Sequence, residues 1–390
     1  MKRTTELSMN GLPKGEVVFN VGSLMAHLQC LTDPRDPRGV RYALIDLLTL
    51  LILAKLGGED GMKGMAEWVK LRGQELVRLL KLQRDSLPHQ TTYERLLDKL
   101  DIGEFEGVVG DFFAQQTPNA PTVTLDGKTL RGTIPEGKTQ GVHLLAAYVP
   151  EQGVVLMQVE VESKTNEIGA APRLLACLDL SGCVVTGDAM FAQRDLCEQI
   201  VAAEGDYVLA VKGNQAQLEA AIAEVFATPP LSAGFSRVHL PETCAETHTL
   251  GHGRLEQRYL TVSSQLNDYL DWPHLGQVFR LQRVVQRQKT GRITYQVIFG
   301  VTSLSAAECS PQRLMQLLRT HWHIENRLHY VRDVTFHEDA CSIREPKRQR
   351  FLATLNNLVI GLIRRCDFDY VPEARRFFAV HFDQALQLLL

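Results

Sequence analysis

The chain has 390 residues, 45% hydrophobic and 22% charged, which excludes a disordered polypeptide and leaves room for two or three domains with apolar cores. Its formal net charge of -3 excludes capture of polyanions through overall basicity, so such a partner would have to meet a local basic stripe. The eight cysteines are irregularly spaced with no C-x-x-C pair, which excludes a zinc-ribbon pattern; reduced, mostly buried thiols are expected.

The N-terminus is polar and mixed, so no signal peptide and a cytoplasmic protein are expected. Residues 1 to about 115 read as helical. Tyr42 to Leu56 is strongly apolar and stops at Gly57-Gly58. Its core, Leu47 to Ala54, is too short to span a bilayer and reads as a buried helix. Met62 to Leu80 carries apolar residues at helical spacing. Pro88 to Thr92 reads as a turn and cap into a helix with Tyr93, Leu96, Leu97 and Leu100.

After Pro118 and Pro121 the period changes. Thr122–Leu125, Val142–Val149 and Val154–Val161 are strand candidates, the last two joined by a turn at Pro150–Gly153. A helix over Glu167–Leu178, a buried strand over Gly182–Thr186, a helix over Ala192–Ala203 and a strand over Tyr207–Val211 follow. The order is β-β-β-α-β-α-β, a mixed α/β arrangement. From Lys212 to about Ser310 one helix, Gln217–Phe226, precedes strand-like segments. Val278–Gln286 and Ile293–Val301 resemble a hairpin turning at Lys289–Arg292. Helical patterning resumes at Pro311 and returns in Phe351–Arg365.

Three carboxylates stand out. Asp126 and Asp188 each follow a short β-branched run, so each is expected at the carboxyl end of a buried strand. Glu325 lies in a helical pattern. Acids brought from strand ends and a helix to one point would offer the oxygen donors that hard divalent cations prefer, and a pair of such ions assists in-line displacement at phosphorus. Each acid also has a plain alternative: Asp126-Gly127 as a turn, Asp188 as a helix cap, Glu325 as a solvated helix residue.

His321, Glu325 and His329 stand at i, i+4 and i+8, with Arg332 one turn further, so a regular helix would show them on one face. The two histidines would then lie about 12 Å apart along the axis, too far to share one zinc ion. Phosphate contact or packing beside the carboxylate is the better reading for both.

Basic residues concentrate twice. Arg280, Arg283, Arg287, Lys289 and Arg292 fall in the proposed hairpin, with no acid between Val278 and Val301. Arg344, Lys347, Arg348 and Arg350 form the second group. Each is either a solvated face or a DNA-backbone contact. Lys128, Arg131, Lys164 and Lys212 lie near predicted strand ends and are further phosphate candidates.

These blocks together resemble the bacterial DDE insertion-sequence transposases of the H-repeat-associated group. Thr124-Leu-Asp126-Gly-Lys-Thr-Leu-Arg-Gly132 resembles the first-Asp motif, and Lys164-Thr-Asn-Glu-Ile168 the block after it. Thr186-Gly-Asp188-Ala-Met-Phe-Ala-Gln193 resembles the second-Asp motif, and Asp206–Gln215 the segment that follows. His321-Trp-His-Ile-Glu325-Asn-Arg-Leu-His329, continuing to Asp339, resembles the terminal-Glu motif. Asp33-Pro-Arg-Asp-Pro-Arg38 and Arg41-Tyr-Ala-Leu match the leading helical region.

The resemblance implies a ribonuclease-H-like catalytic core, a mixed sheet flanked by helices, with a strand-rich insertion before the last acid. It implies Asp126, Asp188 and Glu325 as catalytic residues and ligands of two Mg²⁺ ions, with Mn²⁺ as substitute. One ion would activate water or a DNA 3′-hydroxyl and the other would stabilise the leaving oxygen. Where relatives place Tyr and Arg before the Glu and Lys after it, this chain has Leu318, His321 and Arg332. Where they have Trp, it has Tyr330, which can still stack on a base.

The implied division is an N-terminal helical domain (1–116) for DNA-end binding, a core in two parts (117–212 and 311–390), and an insertion (213–310). The expected activity is cleavage of the element's ends and their joining to target DNA. A metal-dependent nuclease without joining and a domesticated non-catalytic DNA binder are the alternatives. Double-stranded DNA is the expected partner, in a homodimer or larger synaptic complex at the bacterial nucleoid, with no membrane.

Overall fold

The computed structural model describes residues 22–390 apart from 119, 162–166, 228–242, 252, 342, 367 and 369. The chain is mixed α/β and divides into two compact units. One comprises Met1–Pro118, Gly127–Lys164 and Ile324–Leu390; the other comprises Asn119–Asp126 and Thr165–His323. We call them the helical unit and the sheet unit.

The helical unit is built round two apolar helices. In α2 (Leu44–Leu56) almost every side chain is buried, as its all-round apolar sequence requires. In α12 (Pro346–Arg364) the buried residues include Thr354, Asn356 and Asn357. Proline at its start and the Glu345 carboxylate, accepting from the Lys347 and Arg348 amides, fix where α12 begins. Around these pack α1 (Leu24–Leu28), α3 (Met62–Leu71), α4 (Gly73–Leu80), α5 (Gln90–Lys99) and α6 (Ile102–Gln116). The periodicity over Met62–Leu80 predicts no interruption, yet the helix breaks at Arg72. There the guanidinium stacks on Trp68, 4.3 Å from its ring centre, and donates to Ala379 O at 2.9 Å. β2 (His143–Val149) and β3 (Val154–Val161) form an antiparallel pair against α6 and α12. The closing helices are α11 (Tyr330–Val334), α13 (Val371–Val380) and α14 (Phe382–Gln387).

The sheet unit takes up β1 (Thr122–Thr129) through Asp126, β4 (Val184–Gly187), β5 (Asp206–Val211), β6 (Thr243–Gly251), β7 (Arg254–Ser263), β8 (Gln277–Arg287) and β9 (Ile293–Thr302). Their order is β1-β4-β5-β9-β8-β7-β6. β1, β4 and β5 run parallel, and β4 is buried along its whole length, as central parallel strands are. β9 pairs antiparallel with β5, so β6–β9 continue this sheet. At that junction a Cβ on Gly300 would lie 2.5 Å from Leu209 O and collide with Phe279, so only glycine allows the strands to meet. α10 (Pro311–His321) packs across β4, β6 and β7 through Leu314, Met315 and Leu317. α7 (Glu167–Leu175), α8 (Arg194–Ala202) and α9 (Ala216–Val225) complete the unit.

No disulfide forms among the described residues, and Cys30, Cys177 and Cys244 are exposed, so the thiols are less buried than their composition suggests. Among the described residues no helix is long and apolar enough to cross a membrane.

Candidate active site

Two of the three acids are set side by side by strand register. Thr124 pairs with Thr186 and Leu125 with Gly187 in the parallel β1–β4 ladder. Strand alternation puts Thr124 and Asp126 on one face of β1, and Thr186 and Asp188 on the same face of the sheet. Asp188 keeps extended backbone at φ -65°, ψ 168°, so the alternation carries through it. One residue beyond the last paired positions, Asp126 therefore stands opposite Asp188 on strands about 4.8 Å apart. β1 itself runs on to Thr129, so Asp126 lies where pairing to β4 ends rather than where its strand ends.

The surroundings hold this pair in place. Thr124 Oγ1 and Thr186 Oγ1 share a buried hydrogen bond of 2.9 Å. Thr186 Oγ1 also bonds His321 Nδ1 at 3.1 Å, and His321 Nε2 lies 3.8 Å from Asp188 Oδ1. The Asp188 carboxyl remains 60% exposed; the residue occupies the cap position of the turn after it through its backbone, without a side-chain capping hydrogen bond. Gly187 is required beside it: a Cβ there would sit 2.9 Å from the Phe191 ring. Beyond β5, Lys212 is exposed.

Glu325 belongs to the helical unit. His321, Glu325 and His329 do not share a regular helix, because α10 ends at His321 and Ile324–His329 is a π-helical turn leading into α11. The wider turn breaks the i, i+4, i+8 alignment. His321 sides with Asp188, while His329 Nδ1 lies 3.8 Å from Glu325 Oε2. Burial pushes the His329 imidazole below its ordinary range, against the pull of Glu325. The Glu325 carboxyl is 55% exposed.

The phosphate candidates separate into held and presented residues. Lys128 Nζ donates to Asp333 Oδ1 at 2.6 Å, and Arg131 Nε reaches Asp339 at 3.3 Å. Arg332 is only 1% exposed: it bonds Glu338 Oε2 at 2.9 Å and Asn357 Oδ1 at 3.3 Å, and Asn356 donates to the same carboxylate at 2.8 Å. Burial opposes ionisation of Glu338, but Arg332, Lys128 and Asn356 outweigh it and hold the carboxyl below the usual range.

Arg332 and His329 are both buried, and His329 packs beside the Glu325 carboxylate, the second of the two readings given for it. Lys347 donates to Asp98 O at 2.8 Å, and Arg348 grips the Asp98 carboxylate at 2.8 and 2.9 Å. Arg344 alone of the site residues proposed in that stretch is exposed. Arg287, Lys289 and Arg292 are exposed at the β8–β9 hairpin tip, and Tyr330 is exposed on α11. Lys164 lies outside the described residues.

Several of these partners were not singled out by sequence reasoning. Asp333, Glu338 and Asp339 sit in the terminal-Glu block but carry no signal of pairing with Lys128, Arg131 and Arg332. The Thr124–Thr186–His321 chain was readable only in part: two threonines each two residues before an Asp on adjacent strands will face each other.

Residues 118–362 match the family model "Transposase DDE domain", and residues 25–113 match "DDE_Tnp_1-associated". The chain is 30% identical over 365 residues to "Putative transposase YncI" of Escherichia coli O157:H7, spanning 89% of each chain. It is 28% identical over 355 residues to "H repeat-associated putative transposase YhhI" of Escherichia coli strain K12, spanning 87% of this chain and 90% of that one. A solved piggyBac transposase synaptic complex with hairpin DNA is similar at 12% identity and a TM-score of 0.42, over 94% of this chain and 79% of that chain.

Proposed function

The chain belongs to the H-repeat-associated group of DDE transposases, and from that premise we propose that Asp126, Asp188 and Glu325 form its catalytic triad. The reaction proposed is cleavage of the ends of an insertion sequence and their joining to target DNA by in-line phosphoryl transfer. The observation that carries this reading is the β1–β4 register, which sets two carboxylates opposite each other on rigid, buried strands. Within the sheet unit the parallel run of β1, β4 and β5 supports a ribonuclease-H-like core.

The donor set fits Mg²⁺: three carboxylates supply hard oxygens and no cysteine. Asp126, Asp188 and Glu325 would hold two such ions, which when bound supply Lewis-acid stabilisation at phosphorus. The protein's own contribution is placement. Asp126 and Asp188 are fixed by strand backbone, and the Thr186–His321 hydrogen bond braces the face from which both emerge. His329, whose imidazole burial pushes below its ordinary range, stands beside Glu325. The chain passes between its two units directly after Asp126 and again at His323-Ile324, just before Glu325. Bringing Glu325 to the aspartates is part of the proposal.

We further take double-stranded DNA as the partner, the N-terminal helical segment as end recognition, and self-association on DNA as the working state. The test is a supercoiled plasmid carrying the element's ends, incubated with Mg²⁺. Nicking and joined products are expected. Asp188→Asn, which preserves shape, should lower both by at least about 10²–10³-fold, the loss typical of removing one preorganised electrostatic stabiliser. Undiminished cleavage by Asp188→Asn would overturn the triad, and nicking without joining would restrict the protein to a nuclease.

A further inference from the structure

Within the helical unit an open cavity of about 410 Å³ is walled by Gly57 and Gly58 after α2, Thr335 and His337 after α11, and Arg375 and Arg376 on α13. Arg375 of its wall belongs to a buried charge cluster with Lys55 and Asp60. Lys55 is fully buried, and its ammonium donates to Asp60 Oδ1 at 2.9 Å. Arg375 shares that carboxylate through Nη2 at 2.7 Å and donates from Nη1 to Thr335 O at 2.9 Å. Both cations lie over the Phe336 ring, at 5.0 and 4.4 Å. Two cations thus divide one carboxylate, because the neighbouring Glu338 is taken by Arg332.

Burial pushes the Lys55 ammonium down to about 8, with Asp60 opposing and Arg375 adding to the fall. Arg375 is 6% exposed, and its Nε has no hydrogen-bond partner among the described residues. A buried guanidinium N–H left unbonded is costly. At the rim, Arg376 is exposed and makes no ion pair among the described residues, and His337 is exposed in the left-handed region at φ +50°.

From this juxtaposition we propose that the pocket is an anion site that takes a phosphodiester of the DNA backbone, held by Arg376 with His337 beside it, while Arg375 lends positive charge from the wall. Arginine's planar fork matches the paired oxygens of a phosphate. The cavity exceeds what a bare phosphate fills and is open to solvent, which leaves room for the flanking sugars. The site touches no base in this reading, so it contributes affinity without sequence preference. The DNA source of the phosphate rests on the transposase reading; the anion site itself does not.

The test has two arms on the full-length protein. In the first, inorganic phosphate is compared with chloride at equal ionic strength. Phosphate is expected to raise the melting temperature by about 2–4 °C when present well above its dissociation constant. Arg376→Ala, which removes an exposed side chain, should lose most of that shift while melting normally in chloride. His337→Asn, whose side chain tolerates positive φ, should lose part of it.

In the second arm, duplex affinity is measured against salt. Arg376→Ala should lower the slope of log K on log salt by about one, equally for element ends and random duplex. No phosphate-specific shift, or an undiminished shift in Arg376→Ala, would overturn the site. A phosphate shift lost in Arg376→Ala with an unchanged DNA slope would overturn the DNA source and leave a pocket for free phosphate. If the wild-type protein bound no duplex, the DNA source would fall with the transposase reading, while the phosphate arm would still decide the pocket.

Discussion

The arginine-rich stretches 280–292 and 344–350 read alike in sequence and differ in what the fold does with them. In the first, the residues near the sheet are taken up. Arg280 donates to Phe226 O at 2.8 Å, and Arg283 pairs with Glu256, which Arg258 also reaches at 2.7 Å. The residues at the tip, Arg287, Lys289 and Arg292, make no ion pair among the described residues. In the second, two of the four charges, Arg348 and Arg350, meet acids from another helix or strand, and Lys347 donates to a backbone carbonyl. Arg348 meets Asp98, and Arg350 meets Glu106 at 2.5 Å and Glu160 at 2.8 Å. The β8–β9 tip lies level with the β6–β7 turn and faces solvent, whereas a helix lodged between α5 and α6 finds counter-charges on both. A basic run therefore marks a DNA surface only when its geometry carries it beyond the reach of the protein's own acids.

The comparison is broken most directly at Arg332, the most buried of the basic residues assigned to DNA. If it serves the fold, Arg332→Ala leaves Glu338 buried without its cation and should cost about 3–5 kcal/mol. The shift in the urea midpoint at constant m measures this. A loss below about 1 kcal/mol, together with weakened DNA binding, would return Arg332 to the DNA surface.

The hairpin tip gives the next largest effect. Replacing Arg287, Lys289 and Arg292 together by alanine should leave folding unchanged, because the three are exposed. Each DNA phosphate that is no longer neutralised lowers the salt slope of binding by about 0.9, so a fall of about 2–3 is expected, with affinity down roughly 10–100-fold at low salt. An unchanged slope would show that the tip is a solvated face after all.

What the sequence disclosed and what it withheld follow the same physical line. The strands leading to Asp126 and Asp188 were legible because β-branched runs favour strands, and strand alternation is rigid enough to extrapolate which face each acid takes. The mixed α/β character was legible from the change of period after Pro118. The π-helical turn at Glu325 was not, since an i→i+5 turn leaves no mark in apolar spacing until tertiary packing selects it. The break at Arg72 was hidden for a similar reason: the residues on either side keep a helical pattern, and the interruption depends on Trp68 and Ala379 receiving the guanidinium. Charge partners were the least legible, because Asp98 and Glu106 lie some 250 residues from Arg348 and Arg350 in the chain.

The smallest expected effect tests the second stretch where it is weakest. Arg348 is partly exposed, and its bond to Asp98 is a surface ion pair in bidentate geometry. The pairing holds the Asp98 carboxyl below its ordinary range, through the Arg348 hydrogen bonds first. Such pairs contribute about 0.2–1 kcal/mol, so Arg348→Ala should shift stability by no more than that. DNA affinity should stay within about twofold, and the salt slope should not change, because the guanidinium already faces a carboxylate instead of solvent. A drop of about one in the slope would mean that DNA displaces Asp98 from Arg348, and the division between presented and occupied arginines would then describe only the protein without DNA.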